Sequence, residues 1–286
     1  MRLDGRRKSS NVDDRRGIGA KTAGGGIVAL IVGGIIYMLS GGSLTEYVFS
    51  NAGQLVRQGQ QGIQYEATEQ DEELAEFSAQ ILAGTEDVWS ELFRQEGLTY
   101  RPPTMVLYSG SINTGCGQGT SSMGPFYCSA DEKLYIDLDF FKNMRRDLGA
   151  DGDFAYAYVI GHEVGHHVQH LLGTLDESHE RMSRMSKTDA NRESVRIELQ
   201  ADYLAGVWAH HDNRMFGSLE PGDIEEALDA AMKIGDDYLQ KQAQGYAVPE
   251  AFTHGTSQQR WRWLKRGLDT GTLAGGDTFS QPYSNL

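Results

Sequence analysis

The nine-residue stretch HEVGHHVQH, which begins at His162, brings four histidines and one glutamate together. It lies in a mostly apolar segment, 154–173, whose residue spacing and closing Gly173 are typical of a buried helix. On a helix, His162 and His166 project from one face about one turn apart. Two such imidazoles can bind one metal ion, which usually requires at least one further protein ligand. The chain must therefore fold so that another ligand reaches this helix face.

Glu163 gives the helix a chemical role beyond metal binding. Its carboxylate follows His162 directly, where it can take a proton from a water on the same metal. Together these residues form the HExxH pattern of zinc peptidases. His167 and His170 are less suitable ligands, because a straight helix separates His162 from His170 by about 12 Å while zinc bonds are about 2 Å long. We expect both extra histidines to surround the site or to lie on the surface.

A second amphipathic segment, 190–211, offers the missing ligand. Glu198 and Asp202 lie four residues apart there, and the small Ala201 and Ala205 would let the two helices approach closely. A catalytic zinc usually takes three protein ligands and leaves a fourth position for water, so Glu198 is predicted to be the third ligand. Asp202 is predicted to accept a hydrogen bond from a ligand histidine and to fix its orientation. A solvated acidic pair is the competing interpretation, which the apolar neighbours disfavour.

The rest of the chain has the pattern of a helix-rich α+β protein with a small sheet. Apolar periodicity predicts helices at 71–95, 152–172, 190–211, 223–241 and 256–268, and strands at 104–110 and 133–140. The first helix is predicted with a possible break at Gly84, and the last opens with a capping box formed by Thr256 and Gln259.

Charge is distributed unevenly along the chain. The whole chain carries a formal charge of −14, yet residues 1–21 contain seven Arg or Lys and three Asp. A nucleic-acid-binding surface needs clustered basic side chains. We therefore expect no nucleic-acid partner for the acidic remainder of the protein.

Residues 22–45 contain no charged side chain, and 27–39 are almost wholly apolar. This length is close to the roughly 20 residues that a bilayer crossing requires, so the segment is predicted to be a transmembrane anchor. A cleaved signal peptide or a buried core helix are the alternatives. Because the basic residues precede the span, the positive-inside rule predicts a single-pass protein of the cell membrane with residues 1–21 in the cytoplasm. A flexible Gln- and Gly-rich linker at 46–70 and a folded domain at 71–286 would then lie outside, in the periplasm or the external medium.

Five motifs are distributed along the chain: MRLDGRRKSSNVDDRRG at the start, CGQGTSSMGPFYCSADEKLYIDLDFF from Cys116, HEVGHHVQ from His162, ELQADYLAGVWAHH from Glu198 and HGTSQQRWRW from His254. Together they resemble the bacterial neutral zinc metallopeptidases, a family of membrane-anchored proteins in which HExxH is followed by an E-x-x-x-D helix. The resemblance covers almost the whole chain and implies a zincin-like fold. It does not supply a physiological substrate.

Cys116 and Cys128 are the only cysteines, and both follow the predicted anchor. An oxidising compartment outside the cytoplasm favours a disulfide between them. A competing interpretation comes from peptide deformylases, which combine HExxH with an upstream cysteine as third zinc ligand. That interpretation would leave the pairing of Glu198 with Asp202 unexplained.

The reaction predicted from these residues is hydrolysis of a peptide bond. Zinc would be held by His162, His166 and Glu198, and Glu163 would act as the general base. His254, in a Gly-containing turn before a helix, is the predicted donor to the transition-state oxyanion. The strand at 133–140 is expected to bind an extended peptide or protein substrate by edge pairing.

Two other functions remain open at this point. The protein could be a membrane-tethered interaction module stabilised by zinc, or another zinc hydrolase such as a cell-wall amidase. Glu163 separates the first alternative from an enzyme, because a structural zinc site has four protein ligands and needs no general base.

Overall fold

The computed structural model of the protein describes residues 1–17 and 66–286. The predicted anchor at 22–45 and most of the predicted linker at 46–70 lie outside these described residues. In the described part of the chain, no helix is both long enough and apolar enough to cross a bilayer. The described residues form an α+β structure in which helices predominate, as predicted.

The elements are numbered here in chain order over the described residues. The strands are β1 (Val12–Asp14), β2 (Thr104–Tyr108), β3 (Ser111–Thr114), β4 (Gly117–Thr120), β5 (Phe126–Cys128) and β6 (Lys133–Asp137). The helices are α1 (Glu69–Gln95), α2 (Asp139–Asn143), α3 (Asp153–Leu171), α4 (Thr174–Met182), α5 (Lys187–Phe216), α6 (Asp223–Lys233), α7 (Asp236–Gln244) and α8 (Ser257–Thr270).

Four strands form the main sheet in the order β1-β2-β6-β5. β1, β2 and β6 are parallel, whereas β5 is antiparallel to β6. The strand predicted at 133–140 corresponds to β6, which lies between β2 and β5 and pairs with both. Since neither edge of β6 is free to pair, the prediction that this strand binds substrate by edge pairing is wrong. β6 also ends earlier than predicted, because α2 begins at Asp139. β5 is the edge strand on that side of the described sheet.

A disulfide links the small sheet to this edge. β3 and β4 pair as an antiparallel hairpin, and Cys116 lies in the turn between them. Cys116 is bonded to Cys128 at the end of β5, with the two Cα atoms 5.8 Å apart. The predicted disulfide is confirmed in the structure, and it fixes the hairpin turn to the edge strand.

The predicted helices are present with three differences, and the short helices α2 and α4 were not predicted. α1 runs through Gly84 without a break. The segment predicted as one helix at 223–241 forms α6 and α7, which are separated at Gly235. α5 is a 30-residue helix and is longer than predicted at both ends. The capping box of α8 is present as expected, with Thr256 accepting from the backbone N–H of Gln259 and the Gln259 side chain accepting from the backbone N–H of Thr256.

Residues 1–17, which the sequence analysis sets apart from the domain, pack against it in the structure. β1 pairs with β2 in register, Val12 opposite Met105 and Asp14 opposite Leu107. Val12 and Leu3 also contact the main hydrophobic core. The folded unit thus includes chain from both sides of the segment 18–65.

Candidate metal centre

The two histidines of HExxH and Glu198 converge between α3 and α5. His162 Nε2 lies 3.1 Å from one oxygen of Glu198, and His166 Nε2 lies 3.5 Å from the other. One ligand atom from each of the three side chains falls within 4.8 Å of the other two. Ligands of one tetrahedral zinc with bonds of about 2.1 Å are separated by about 3.4 Å. The spacing and the nitrogen and oxygen donors therefore fit a zinc ion.

Glu198 reaches α3 because the two helices are in close contact. Gly165 of α3 faces Ala201 of α5, and a Cβ atom at Gly165 would lie 2.9 Å from the Ala201 carbonyl oxygen. Any larger residue at Gly165 would push the helices apart, since the obstacle is backbone. This contact places Glu198, less than one turn before Ala201, beside the histidines.

Asp202 orients His162 from behind the centre. Its carboxylate is fully buried and accepts a hydrogen bond of 2.8 Å from His162 Nδ1–H, which leaves Nε2 directed at Glu198. Tyr158 donates its hydroxyl to the same carboxylate at 2.6 Å. Arg260 of α8 donates from Nε and Nη2 to the two Asp202 oxygens, each at 2.9 Å. Asp202 thus takes the position predicted for it, with two additional partners that the sequence analysis did not identify.

His166 has a separate partner that was also missed. Its Nδ1–H donates to the side-chain oxygen of Gln169 at 2.9 Å. Gln169 is fully buried and donates in turn to the carbonyl of Ile197 and to the side chain of Gln200. The i, i+3 spacing from His166 was a usable signal, because residues three apart share a helix face.

The electrostatics differ between the ligand and the predicted base. Burial lowers the pKa of His162, but Asp202 and Glu198 outweigh this effect and raise it to about 10. The metal-free centre therefore holds a protonated His162 between two carboxylates. For Glu163, burial acts in the opposite direction and raises the pKa of the carboxyl group. Glu163 is buried and has no hydrogen-bond partner among the described residues.

A cleft of about 480 Å³ opens over the centre. His162, Glu163, His166, Glu198 and His254 all line it, together with apolar side chains that include Met123, Phe126, Phe140, Val159 and Leu239. The cleft is bordered by β5 on one side, through Phe126 and Tyr127. All the residues predicted to act on substrate or metal therefore face one cavity.

His254 is held at the rim of this cleft by Asp236. The carboxylate accepts the backbone N–H of Thr253 and of His254, each at 2.7 Å, and that of Gly255 at 3.0 Å. It also accepts His254 Nδ1–H at 3.2 Å. Burial lowers the pKa of His254, but the bond to Asp236 and the charge of Glu198 raise it overall. The half-exposed imidazole is therefore set up to carry a proton.

His167 and His170 have other contacts. His167 is fully buried, where Nε2–H donates to the carbonyl of Arg101 at 2.6 Å and Nδ1 accepts from the Tyr127 hydroxyl at 2.9 Å. Burial lowers the pKa of His167 to about 4, so it is neutral. His170 Nδ1 lies 3.2 Å from Asp176. His167 joins α3 to β5, and neither histidine belongs to the group around Glu198.

Comparison with known proteins adds the family. Residues 1–279 match the family described as "Putative neutral zinc metallopeptidase". The chain is 48% identical over 292 residues to the Escherichia coli (strain K12) protein named "Uncharacterized protein YpfJ", which covers 98% of this chain and 99% of the relative. It is 43% identical over 191 residues to "Uncharacterized protein Mb2605" of Mycobacterium bovis, across 63% of this chain and 64% of the relative. No solved structure matches the chain. By its motifs, by the converging ligands and by a match along almost its whole length, the chain belongs to the neutral zinc metallopeptidase family.

Proposed function

We propose that the protein is a zinc-dependent peptidase with a zincin-like domain that is attached to the cell membrane through residues 22–45. The observation that carries the proposal is one cleft in which His162, His166 and Glu198 converge while the neighbouring carboxylate of Glu163 has no hydrogen-bond partner among the described residues. Three ligands leave a coordination position for water, and a carboxylate without other partners is available to act on that water.

Glu163 is the residue proposed to move the proton. Its raised pKa brings the carboxyl group toward the range in which it can accept and return a proton near neutral pH. Zinc, when bound by His162, His166 and Glu198, would supply a water of lowered pKa and polarise the substrate carbonyl. Glu163 would take a proton from the attacking water and pass it to the leaving amine. His254, fixed by Asp236, would donate from its imidazole N–H to the oxyanion.

The edge strand β5 supports an extended peptide as substrate. β5 borders the cleft, and its outer edge has no strand partner in the described sheet, so its backbone can pair with an added strand. His167 fixes the Tyr127 hydroxyl of β5 to α3, the helix that carries Glu163. The peptide would therefore lie at a set height above the general base. An antiparallel edge strand above an HExxH helix is the reason for proposing a zincin-like architecture.

Two alternatives are weaker on the same observations. A zinc-stabilised interaction module would not require Glu163 to face an open cleft. A cell-wall amidase would use the same centre on a different amide, and the cleavage products of a substrate library distinguish it from a peptidase. The disulfide supports an oxidising compartment for the domain, in agreement with the expected location outside the cytoplasm.

The proposal is tested by separating the base from the ligand. Glu163→Gln should retain zinc and lose about 100-fold or more of turnover, because only the proton transfer is removed. Glu198→Ala should lose zinc together with activity. Glu193→Ala is the matched control on α5, since Glu193 binds Arg181 and not the centre, and it should keep its zinc. The measurements are zinc content by elemental analysis and cleavage of a peptide library with and without chelator. Unchanged turnover in Glu163→Gln would reject the mechanism.

A further inference from the structure

The first seventeen residues are held by the charge of the domain. They contain six basic side chains, and five of these, all except Arg15, have a carboxylate of residues 66–286 within 3.7 Å. Arg7 binds both Glu86 and Asp87 of α1 and donates to the carbonyl of Ala83. The positive charge that suggested a cytoplasmic anchor sequence is thus paired with the acidic surface of the domain.

Arg6 forms the most buried of these contacts. Its guanidinium binds Asp212 of α5 at 2.8 Å, with only 12% and 1% of the two side chains exposed, and it lies 3.8 Å from the ring centroid of Phe216. A Cβ atom at Gly84 would be 2.7 Å from Arg6 Nη2 and 2.8 Å from Asp212. Glycine is otherwise among the least favourable residues inside a long helix. Its presence in the middle of α1 makes room for this ion pair.

The backbone of the segment is bound as well. The N–H of Met105 donates to the carbonyl of Asn11 and the N–H of Arg15 donates to the carbonyl of Leu107, each at 2.8 Å. The N–H of Ser9 donates to the carbonyl of Ala79 at the surface of α1. β1 therefore completes the sheet on the side opposite the active-site cleft, and the segment is a structural part of the domain.

The two ends of the described chain that flank 18–65 also meet. Arg16 Nη1 donates to the carbonyl of Asp71 at 2.9 Å, and Arg16 Nη2 lies 3.0 Å from Glu72, both in the first turn of α1. The chain therefore departs from the domain and rejoins it at one place. Both flanks are thus bound to one face of the same domain, which requires that they lie on one side of any membrane.

We propose that residues 1–17 and the metallopeptidase domain lie on the same side of the membrane, with the basic N-terminal segment docked on the domain. A chain that crossed the bilayer once through 22–45 would leave the basic segment in the cytoplasm, out of reach of Asp212 and β2.

The test compares two matched serine-to-cysteine variants of the full-length chain. Ser10 lies in the docked segment and Ser90 lies on α1, and both are exposed and form no side-chain hydrogen bond with another described residue. Ser10→Cys and Ser90→Cys are expressed in a bacterium, and intact spheroplasts are treated with a membrane-impermeant maleimide before and after permeabilisation. Labelling of the unsubstituted chain, whose two cysteines are disulfide-bonded, is subtracted as background.

The expected result is that both cysteines behave alike, each normalised to its labelling after permeabilisation. If both cysteines react with the maleimide in intact spheroplasts, residues 1–17 and the domain lie together outside the cytoplasm. If both react only after permeabilisation, they lie together in the cytoplasm, and the proposed location of the domain is wrong. Labelling of one variant in intact spheroplasts with protection of the other would overturn the inference. Because neither residue contacts the metal centre, either result leaves the peptidase proposal to its own test.

Discussion

Arg260→Ala is the most informative perturbation of the metal centre, because Arg260 forms its ion pair with Asp202, the carboxylate that orients His162, and its Nη2 also lies 3.4 Å from His162 Nδ1. The two side chains are 3% and 0% exposed and share two hydrogen bonds of 2.9 Å. Burial raises the pKa of Asp202, whereas Arg260 and His162 lower it, to about 2. The carboxylate is therefore ionised in the interior only because these partners compensate its charge.

The size of the effect follows from these contacts. Removing one partner of a buried ion pair leaves an uncompensated charge and usually costs about 3–5 kcal/mol of unfolding free energy. We take the lower value, about 3 kcal/mol, because Tyr158 and His162 still donate to Asp202. For a domain of this size, that loss lowers Tm by about 6–12 °C. Zinc affinity should also fall, by about 10–100-fold, because Asp202 without its guanidinium partner is fixed less firmly and orients His162 less well.

The assay is thermal unfolding of the metal-free protein together with zinc competition against a chelator. Arg262→Ala is the matched control, since Arg262 is exposed on the same helix and, within residues 1–17 and 66–286, donates only to the Leu286 carbonyl. The control should keep its zinc affinity and lose little stability. If Arg260→Ala resembled Arg262→Ala in both measurements, the reasoning that Asp202 depends on Arg260 would be refuted.

Three further predictions follow from other contacts. The pKa of His162 is raised to about 10, so zinc must displace a proton when it binds, and zinc affinity should increase about tenfold per pH unit between about pH 6.5 and 8. For the same reason, the metal-free protein should lose stability as the pH rises toward 10. A zinc affinity that calorimetry finds independent of pH would contradict this prediction. A double-mutant cycle on Arg6 and Asp212 in the full-length chain should give a coupling energy of about 1–3 kcal/mol in thermal unfolding. The control pair Lys8–Glu76, whose side chains are 54% and 52% exposed, should give less than about 1 kcal/mol. Equal coupling energies for the two pairs would argue against docking of the N-terminal segment. Reduction of the disulfide should lower the unfolding free energy by about 3 kcal/mol, a value that follows from the length of the loop that it closes. A Cys116→Ser variant measured without reductant should show the same loss. No change in either measurement would mean that the disulfide does not constrain the unfolded chain.

The metal ligands could be predicted from the sequence because they depend on local geometry. His162 and His166 are fixed on one face by helix periodicity alone. Glu198 and its small neighbour Ala201 indicated a second helix able to come close, and the structure has that contact at Gly165. Most long periodic segments were predicted for the same reason, since each carries its own signal in consecutive residues; the exception is 223–241, which is divided at Gly235.

The supporting residues could not be predicted in this way. Arg260 lies among polar and aromatic residues of α8, and only packing against α3 and α5 shows that it is buried with Asp202. β1 and β5 are three-residue strands, too short for an alternating pattern to be recognised. The arginines of the N-terminal segment were interpreted by their charge, because a linear pattern does not show which carboxylates a basic side chain will meet.

Asp202 has a consequence for how this family can diverge. One carboxylate connects α3, α5 and α8, through Tyr158, its own helix and Arg260, while it also orients His162. Replacing Asp202 would leave the three donors without their shared acceptor, and replacing any one donor would leave the buried carboxylate with less compensation of its charge. In a collection of homologous sequences, Tyr158, Asp202 and Arg260 should therefore vary together. In a lineage that no longer binds the metal, we expect all three residues to be replaced together by apolar residues, because a protein with only one of them replaced would lose stability before it lost zinc.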